Sequence, residues 1–473
     1  MLTIIKTEPR ILAILGDDRT TVLTQCCISP YVHVIVVKDG YVVTNILTNF
    51  IAYIQDWPKN DDQATVNHWW QTLTPIEQNI LLQNRVVIAN KAEEYNVYLQ
   101  LWNFISALVP NDGFIRYNIL TTNACNARCP YCFENEFLEQ RNSMTVDKAN
   151  KVADYIINTH SPSQPIYIRW FGGEPLVNTR VIDIISKRLN EKNVNFFSTM
   201  STNGLACTPE IILRATQLWR MSKIRISLDG WGEDHNKRKL FVGTKDGFST
   251  ILSNMDAIIS SGLMLSVRLN LDRYNYESLL KLSDYLIERF SKCPNFNMYC
   301  RCLFDDISID AFENNRSQMQ ELLAQCYSLE KKLIDNNVYD CERLAPNGFR
   351  TFFCAAHDPR KIVITPSGGV CKCECLASDK VSWGKIGEKI ENQEIYDTWH
   401  KDINLVRDKC RHCSLLPLCS PYNVCPSQIH CVTRFEHTLQ LYLEESYDRW
   451  LQGLDPIEMK DEIHLDIDYV PYY

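Results

Sequence analysis

Three thiols fall within eight residues in the run Cys125-Asn126-Ala127-Arg128-Cys129-Pro130-Tyr131-Cys132, and nine further cysteines lie between Cys354 and Cys431. Thiolates at such spacings are ligands for soft metals and iron-sulfur clusters. A structural metal site normally closes all four positions, so three ligands in one loop point to an iron left open for an exogenous ligand, with a zinc loop as the alternative. In the second group Cys410 and Cys413 have zinc-ribbon spacing with His412 and His430 nearby, and five residues separate Cys413 from Cys419, Cys419 from Cys425, and Cys425 from Cys431. Taken by itself, that group reads as one or two zinc sites.

The chain has 20 cysteines in 473 residues. Its amino terminus, MLTIIKTEPR, lacks the charged start, apolar core and small-residue cleavage site of a signal peptide, so reduced, ligating thiols in a cytoplasmic setting are expected. The eight cysteines outside the two groups are expected to be mostly buried packing residues. An apolar fraction of 45% and a charged fraction of 22% are those of an ordinary globular protein, and no apolar run is long enough to span a bilayer. A net charge of −8 disfavours an electrostatic nucleic-acid binder, so neither nucleic acid nor membrane is an expected partner.

The elements that must position these thiols follow from periodicity. Over 1–110, YVHVIVVKDGYVVTNIL carries two β-branched runs around Asp39-Gly40, a hairpin signal whose turn needs positive φ, and Thr74-Pro75-Ile76-Glu77 supplies an N-cap, a first-turn proline and a capping-box glutamate. A small α/β domain is expected there. Over 111–306, six strand-like runs alternate with helix-length stretches: FIRYNILT, PIYIRWF, NFFSTMST, KIRISLD, LSVRLNL and FNMYCRCLF. Such repeated βα units make a parallel, barrel-like sheet. Residues 307–340 read as helical, 341–435 as a turn-rich cysteine domain with little periodicity, and 436–473 as a closing helix and loose tail.

The CxxxCxxC loop, with Tyr131 before its last cysteine and placed after the first barrel strand, resembles the radical S-adenosylmethionine (SAM) superfamily. The resemblance continues in order through Gly172-Gly173-Glu174-Pro175 after the second strand, Ser201 and Asn203 at the end of the third, Ser227 and Asp229 at the end of the fourth, and Arg268 and Asn270 on the fifth. It implies a partial (β/α)6 TIM-like barrel whose chemistry sits at the carboxyl ends of strands. It further implies that Cys125, Cys129 and Cys132 hold a 4Fe-4S cluster, that the other named residues hold S-adenosylmethionine, with Glu174 receiving its ammonium, and that cleavage yields a 5′-deoxyadenosyl radical.

The second group resembles the SPASM extension of this superfamily, which holds two auxiliary 4Fe-4S clusters. Carried over by position, Cys354, Cys373 and Cys425 would ligate the first, and Cys410, Cys413, Cys419 and Cys431 the second. The gap between Cys419 and Cys425 is longer than the family's usual one. Cys371, Cys375 and Cys341 are candidates for the missing fourth ligand of the first cluster, unless that iron is open to substrate. Glu374 stands where relatives that oxidise a peptide cysteine or serine carry a base; the plainer reading is a carboxylate supporting a cluster or solvated beside it.

The order of modules resembles maturases of ribosomally made peptides, with a winged-helix-like leading domain that pairs a leader peptide with a strand edge. The resemblance implies a precursor peptide as partner, a reductant such as flavodoxin or ferredoxin, and a thioether or carbon-carbon cross-link as product. An anaerobic sulfatase-maturating, formylglycine-forming enzyme is the neighbouring possibility, and a non-catalytic iron-sulfur or zinc module the distant one.

Overall fold

A computed structural model describes residues 1–16, 23, 25–108, 115–132, 142–161, 164–303, 316–339, 356, 358, 360–400, 410–419 and 433–456. These residues form two compact units, one from 1–108 with 410–456 and one from 115–339 with 356–400.

The first unit is built on strands β1 (Leu2–Lys6), β3 (Val32–Val37), β4 (Gly40–Asn45) and β5 (Phe50–Ile54), antiparallel in the order β1-β5-β4-β3, with the short pair β2 (Cys27–Ile28) and β6 (Val87–Ile88) beside them. Alternate side chains go to opposite faces. Val43 and Ala52 face one layer with Val66, Trp69, Trp70 and Leu81, while Val42 and Ile51 face another with Tyr98, Leu101, Leu439 and Tyr442. The expected hairpin forms, but its turn lies one residue earlier than Asp39-Gly40. The register pairs Val37 with Gly40, which leaves Lys38-Asp39 as the turn, and Gly40 does not take a positive φ. Its glycine is explained by crowding, because a Cβ there would sit 2.8 Å from the Ile54 carbonyl oxygen. The Thr74 capping box forms as expected, with Glu77 N donating to Thr74 Oγ1 at 3.3 Å and Thr74 N to Glu77 Oε2 at 2.9 Å.

The second unit is a partial barrel. All six expected strands are present as β7 (Ile115–Leu120), β8 (Ile166–Phe171), β9 (Phe196–Thr202), β10 (Met221–Leu228), β11 (Met264–Leu271) and β12 (Phe296–Cys302), each parallel to the next. Helices Val146–Thr159, Thr179–Glu191, Pro209–Gln217, Gly247–Ser260 and Tyr276–Phe290 fall between them, and Arg316–Asp335 follows β12. The sheet does not stop at six strands. From the stretch expected to be turn-rich, β13 (Lys361–Ile364) adds parallel to β7, and β14 (Val370–Cys371) adds antiparallel to β13. A four-residue strand gives almost no periodic signal, and its buried Val363 and Ile364 are held by pairing with β7. Within the barrel one pleat face is apolar, with Ile119, Trp170, Ile226 and Leu269 buried. The other is polar: Asn118 stands opposite Arg169, Ser227 opposite Arg268, and Asn270 opposite Arg301.

Candidate active site

The cysteine loop leaves the carboxyl end of β7 and is pinned there by the segment that leaves β8. Gly173 N donates to Thr122 O and Glu174 N to Ala124 O, both at 2.9 Å. Two glycines are needed for this approach. Gly172 has φ +131 and a Cβ on it would meet Thr122 O at 2.3 Å, while a Cβ on Gly173 would meet Asn123 O and Ala124 O at 2.6 Å. The Gly-Gly pair therefore lets the β8 segment dock against the entry to the thiol loop. Pro175, buried, opens a short 3-10 turn behind it.

Glu174 is buried, and its carboxylate accepts from Thr202 Oγ1 at 2.6 Å, Asn203 N at 2.8 Å and Leu176 N at 3.2 Å. Burial raises this carboxyl above its usual range despite those bonds. Asn203 Nδ2 donates to Asn126 Oδ1 at 2.6 Å, tying the end of β9 to the same loop. On its far side the loop is held by residues 239–242: Arg128 N donates to Lys239 O at 3.0 Å and Val242 N to Asn126 O at 2.8 Å. Cys125, Cys129 and Cys132 are partly accessible, and burial, with the Glu174 charge next, pushes the Cys125 thiol up to about 12. Three neighbouring thiols on one anchored loop fit an iron-sulfur cluster, whose binding supplies the energy to deprotonate them.

A second group of buried polar residues lies beside the loop. Asp229, at the end of β10, accepts from Tyr131 OH and from Asn270 Nδ2 at 2.7 Å, and Arg268 Nε donates to Asn270 Oδ1 at 2.6 Å. Lys239 Nζ lies 3.6 Å from Asp229 Oδ2 and donates to Tyr131 OH at 3.0 Å and Ser227 Oγ at 2.9 Å. Burial works to raise the Asp229 carboxyl, but Lys239, His235 and the hydrogen bonds from Tyr131 and Asn270 together hold it below the usual range; burial works to lower Lys239, and Asp229, Tyr131 and Cys129 together raise it. Asp229 N donates to His235 Nδ1 at 3.1 Å, and burial holds that imidazole at about 4, neutral with its proton on Nε2.

Glu374 is neither solvated nor idle. Its carboxylate receives Asn118 Nδ2 and Lys361 Nζ at 2.5 Å and Arg169 Nη1 at 3.2 Å, and Arg169 Nη2 also donates to Ser201 Oγ at 3.0 Å. Burial would raise this carboxyl, and Lys361 and Arg169 more than offset that, so it stays anionic. Ser201 thus joins this group, while Asn203 joins the cysteine loop. Cys371 and Cys373 are buried on and just after β14, with the Cys371 thiol reaching Cys373 O at 3.8 Å, and belong to the barrel unit. Cys410 and Cys413 belong to the other unit, packed with Leu415, Leu416 and Leu418. Cys341, Cys354, Cys425 and Cys431, and the side chains of Cys375 and Cys419, lie outside the described residues.

Lys239, Arg169, Lys361 and Asn118 carry no sequence signal. Lys239 ends the run Lys237-Arg238-Lys239, which reads as a solvated helix end, and only the fold shows it 4% exposed.

Residues 119–286 match the model of the radical SAM superfamily. The chain is 24% identical over 332 residues to a cysteine-type anaerobic sulfatase-maturating enzyme of Clostridium novyi, covering 62% of this chain and 83% of that one. It is 25% identical over 190 residues to the radical SAM cyclopropyl synthase TigE of Paramaledivibacter caminithermalis, covering 37% of each chain. The fold is similar to that of native anSMEcpe with bound AdoMet and Cp18Cys peptide, at a TM-score of 0.55 and 14% identity over 72% of this chain and 99% of that one. No helix among the described residues is long and apolar enough to cross a membrane. With its three thiols at the end of β7 and the glycine pair that docks them, the stretch 119–286 is a radical SAM domain, whose family implies a 4Fe-4S cluster and S-adenosylmethionine.

Proposed function

We propose that this enzyme acts on a ribosomally made precursor peptide and installs a thioether or carbon-carbon cross-link. The observation that carries the reading is in the first unit, where β3 is the end strand of its sheet and borders a groove of about 540 Å³ lined by Val32, Val34, Tyr41, Trp57, Lys59 and Lys91. A peptide can add to a strand edge through main-chain hydrogen bonds while its side chains fill such a groove. More than a quarter of this chain has no counterpart in the anSMEcpe structure, which supports a recognition element beyond the catalytic core.

In this reading Cys125, Cys129 and Cys132 hold the radical-generating cluster. Cys354, Cys373 and Cys425, with Cys371 as fourth ligand, hold one auxiliary cluster, and Cys410, Cys413, Cys419 and Cys431 another. The radical-generating cluster, with S-adenosylmethionine, supplies a radical that takes hydrogen from an unactivated carbon. Glu174, oriented by Thr202 and Asn203, becomes ionised against the ammonium of the cofactor. Asp229, Asn270 and Arg268 line the neighbouring wall. Glu374, held as a weak base by Lys361 and Arg169, keeps a negative charge beside Cys373; cross-linking by hydrogen abstraction asks for no stronger base. Electrons come from a flavodoxin or ferredoxin in a reducing cytoplasm.

Formylglycine formation is the second reading, favoured by the Clostridium novyi relative. The test is anaerobic coexpression with the short peptide encoded beside the gene, followed by mass spectrometry. Loss of two hydrogens is expected, one from the abstracted carbon and one from the thiol or carbon it joins, with all sulfur retained; an aldehyde reactive with a hydrazide would overturn the cross-link. Replacing Cys125, Cys129 and Cys132 with Ser should end 5′-deoxyadenosine formation, and survival of that product would remove the site itself.

A further inference from the structure

The thiol loop is backed by a short stretch whose outward side chains have no part in the chemistry described so far. Cys129 Sγ lies 3.8 Å from Lys239 O, Arg128 N donates to Leu240 O at 3.2 Å, and Val242 N donates to Asn126 O at 2.8 Å. Leu240 is therefore the residue directly after the carbonyl that touches the Cys129 thiol.

Leucine is a costly choice at that point. The helix Glu233–Lys239 ends there, and Leu240 takes the left-handed conformation at φ +46 and ψ +62, with its N–H on Asn236 O. Glycine or asparagine is the usual residue in such a cap, because a branched side chain is strained at positive φ. Burial does not offset the strain: Leu240 is 50% exposed, and Val242 is 58% exposed. Arg238 pairs with Asp272, which brings the next segment alongside, and there Tyr274 is 76% exposed. A strained residue and three exposed large apolar side chains, on adjoining segments beside the thiol loop, mark a surface kept for a partner.

The charges around it define the partner's chemistry. The chain carries a net charge of −8, yet Arg128, Lys237, Lys245 and Arg273 are all exposed on these segments. Of the carboxylates nearby, Glu233 pairs with Lys237 at 3.0 Å, Asp234 accepts from Ser278 Oγ at 2.7 Å, and Asp246 accepts from Asn236 Nδ2 at 3.1 Å and Ser249 N at 3.2 Å. An apolar centre with cations in the majority around it suits an acidic protein surface. The stretch also lies on the far side of the thiol loop from Glu174 and Asn203, so a partner there approaches the thiols without crossing the cofactor's place.

We propose that this face docks a small acidic electron-carrier protein. The inference rests on the reading that such a carrier supplies the electrons, and adds where it sits. One electron leaves the reduced carrier and reduces by one the cluster held by Cys125, Cys129 and Cys132; no bond forms and no proton moves.

The test uses the full-length enzyme reconstituted anaerobically, with reduced flavodoxin and reduced ferredoxin in turn, against dithionite, which needs no docking surface. Two quantities are read: the carrier concentration that half-saturates 5′-deoxyadenosine formation, and the Kd of the oxidised carrier by calorimetry, which involves no turnover. Lys245→Glu and Leu240→Asn should each raise both values at least about tenfold, and the ratio of carrier-driven to dithionite-driven rate should fall with them. Asparagine is at ease at positive φ, so Leu240→Asn should unfold at no lower temperature than the wild type, which separates a lost contact from a lost fold. Carbodiimide treatment of the complex should join carrier carboxylates to Lys237 or Lys245. Carrier binding and rate ratios unchanged in both variants, or a raised KM for the precursor peptide in place of the carrier, would overturn the surface. A wild type driven by dithionite but by neither carrier would overturn the carrier reading itself.

Discussion

Two buried carboxylates in the barrel, Asp229 and Glu374, each hold a cysteine-bearing segment, and they do so in opposite ways. Beside the first thiol loop, the barrel and its helix supply both charges, Asp229 and Lys239, and the loop supplies the neutral phenol of Tyr131. Beside β14 the cysteine segment itself supplies the charge, and Glu374 plugs into Lys361, Arg169 and Asn118. The first arrangement is complete without the loop, so the loop rests on a preformed platform. The second is complete only when the segment is in place, so docking and charge compensation are one event. Removing a loop residue therefore costs a hydrogen bond in one case and a counter-ion in the other.

The largest effect is expected at Glu374. Glu374→Ala takes away the carboxylate faced by two buried cations and should lower unfolding free energy by about 3–5 kcal/mol in urea titrations. A loss no greater than that of a neutral hydrogen bond would show that the charge does not hold the segment.

Acid sharpens the other side. His235 is neutral at about 4 in the folded barrel against 6.5 in the open chain, so the folded state binds fewer protons between those values. That contribution is fully present above pH 6.5 and is lost as pH falls toward 4, amounting to about 2 kcal/mol between pH 7 and pH 5. His235→Asn should flatten this part of the stability profile; an unchanged slope would assign the acid sensitivity to another group.

The smallest effect is expected at Tyr131→Phe, which leaves Asp229 with Lys239 and Asn270 and should cost about 1 kcal/mol. A cost approaching that of Glu374→Ala would mean that the platform depends on the loop after all, and the contrast would fall.

Much of the barrel was legible before any coordinates. Each of the six strands is a β-branched or aromatic run, and the order of Cys125–Cys132, Gly172-Gly173-Glu174, Asn203 and Asp229 matches successive strand ends because adjacent βα units place them there. The hairpin is legible in the sequence, but its turn lies one residue before the Asp39-Gly40 signal, because Gly40 answers to Ile54 and Tyr53 across the sheet and not to turn geometry. The addition of β13 was not legible, since a four-residue run owes its strand conformation to β7. Nor was Glu374's anchoring: its partners come from β7, β8 and β13, which are distant in sequence.

What the sequence determined by itself is chemistry carried by contiguous residues. Three thiols within eight residues, and two glycines before a glutamate, keep their meaning wherever the chain goes, because spacing alone brings them together. What only the tertiary structure decided is which charges are buried and with whom. Lys239 leaves solvent while Lys237 does not, Glu374 is gripped by two cations, and Cys300, Cys302 and Cys326 meet across a strand and a helix. These are long-range choices, made by packing that removes water from one member of a charge run or one thiol among many, and no local pattern records them.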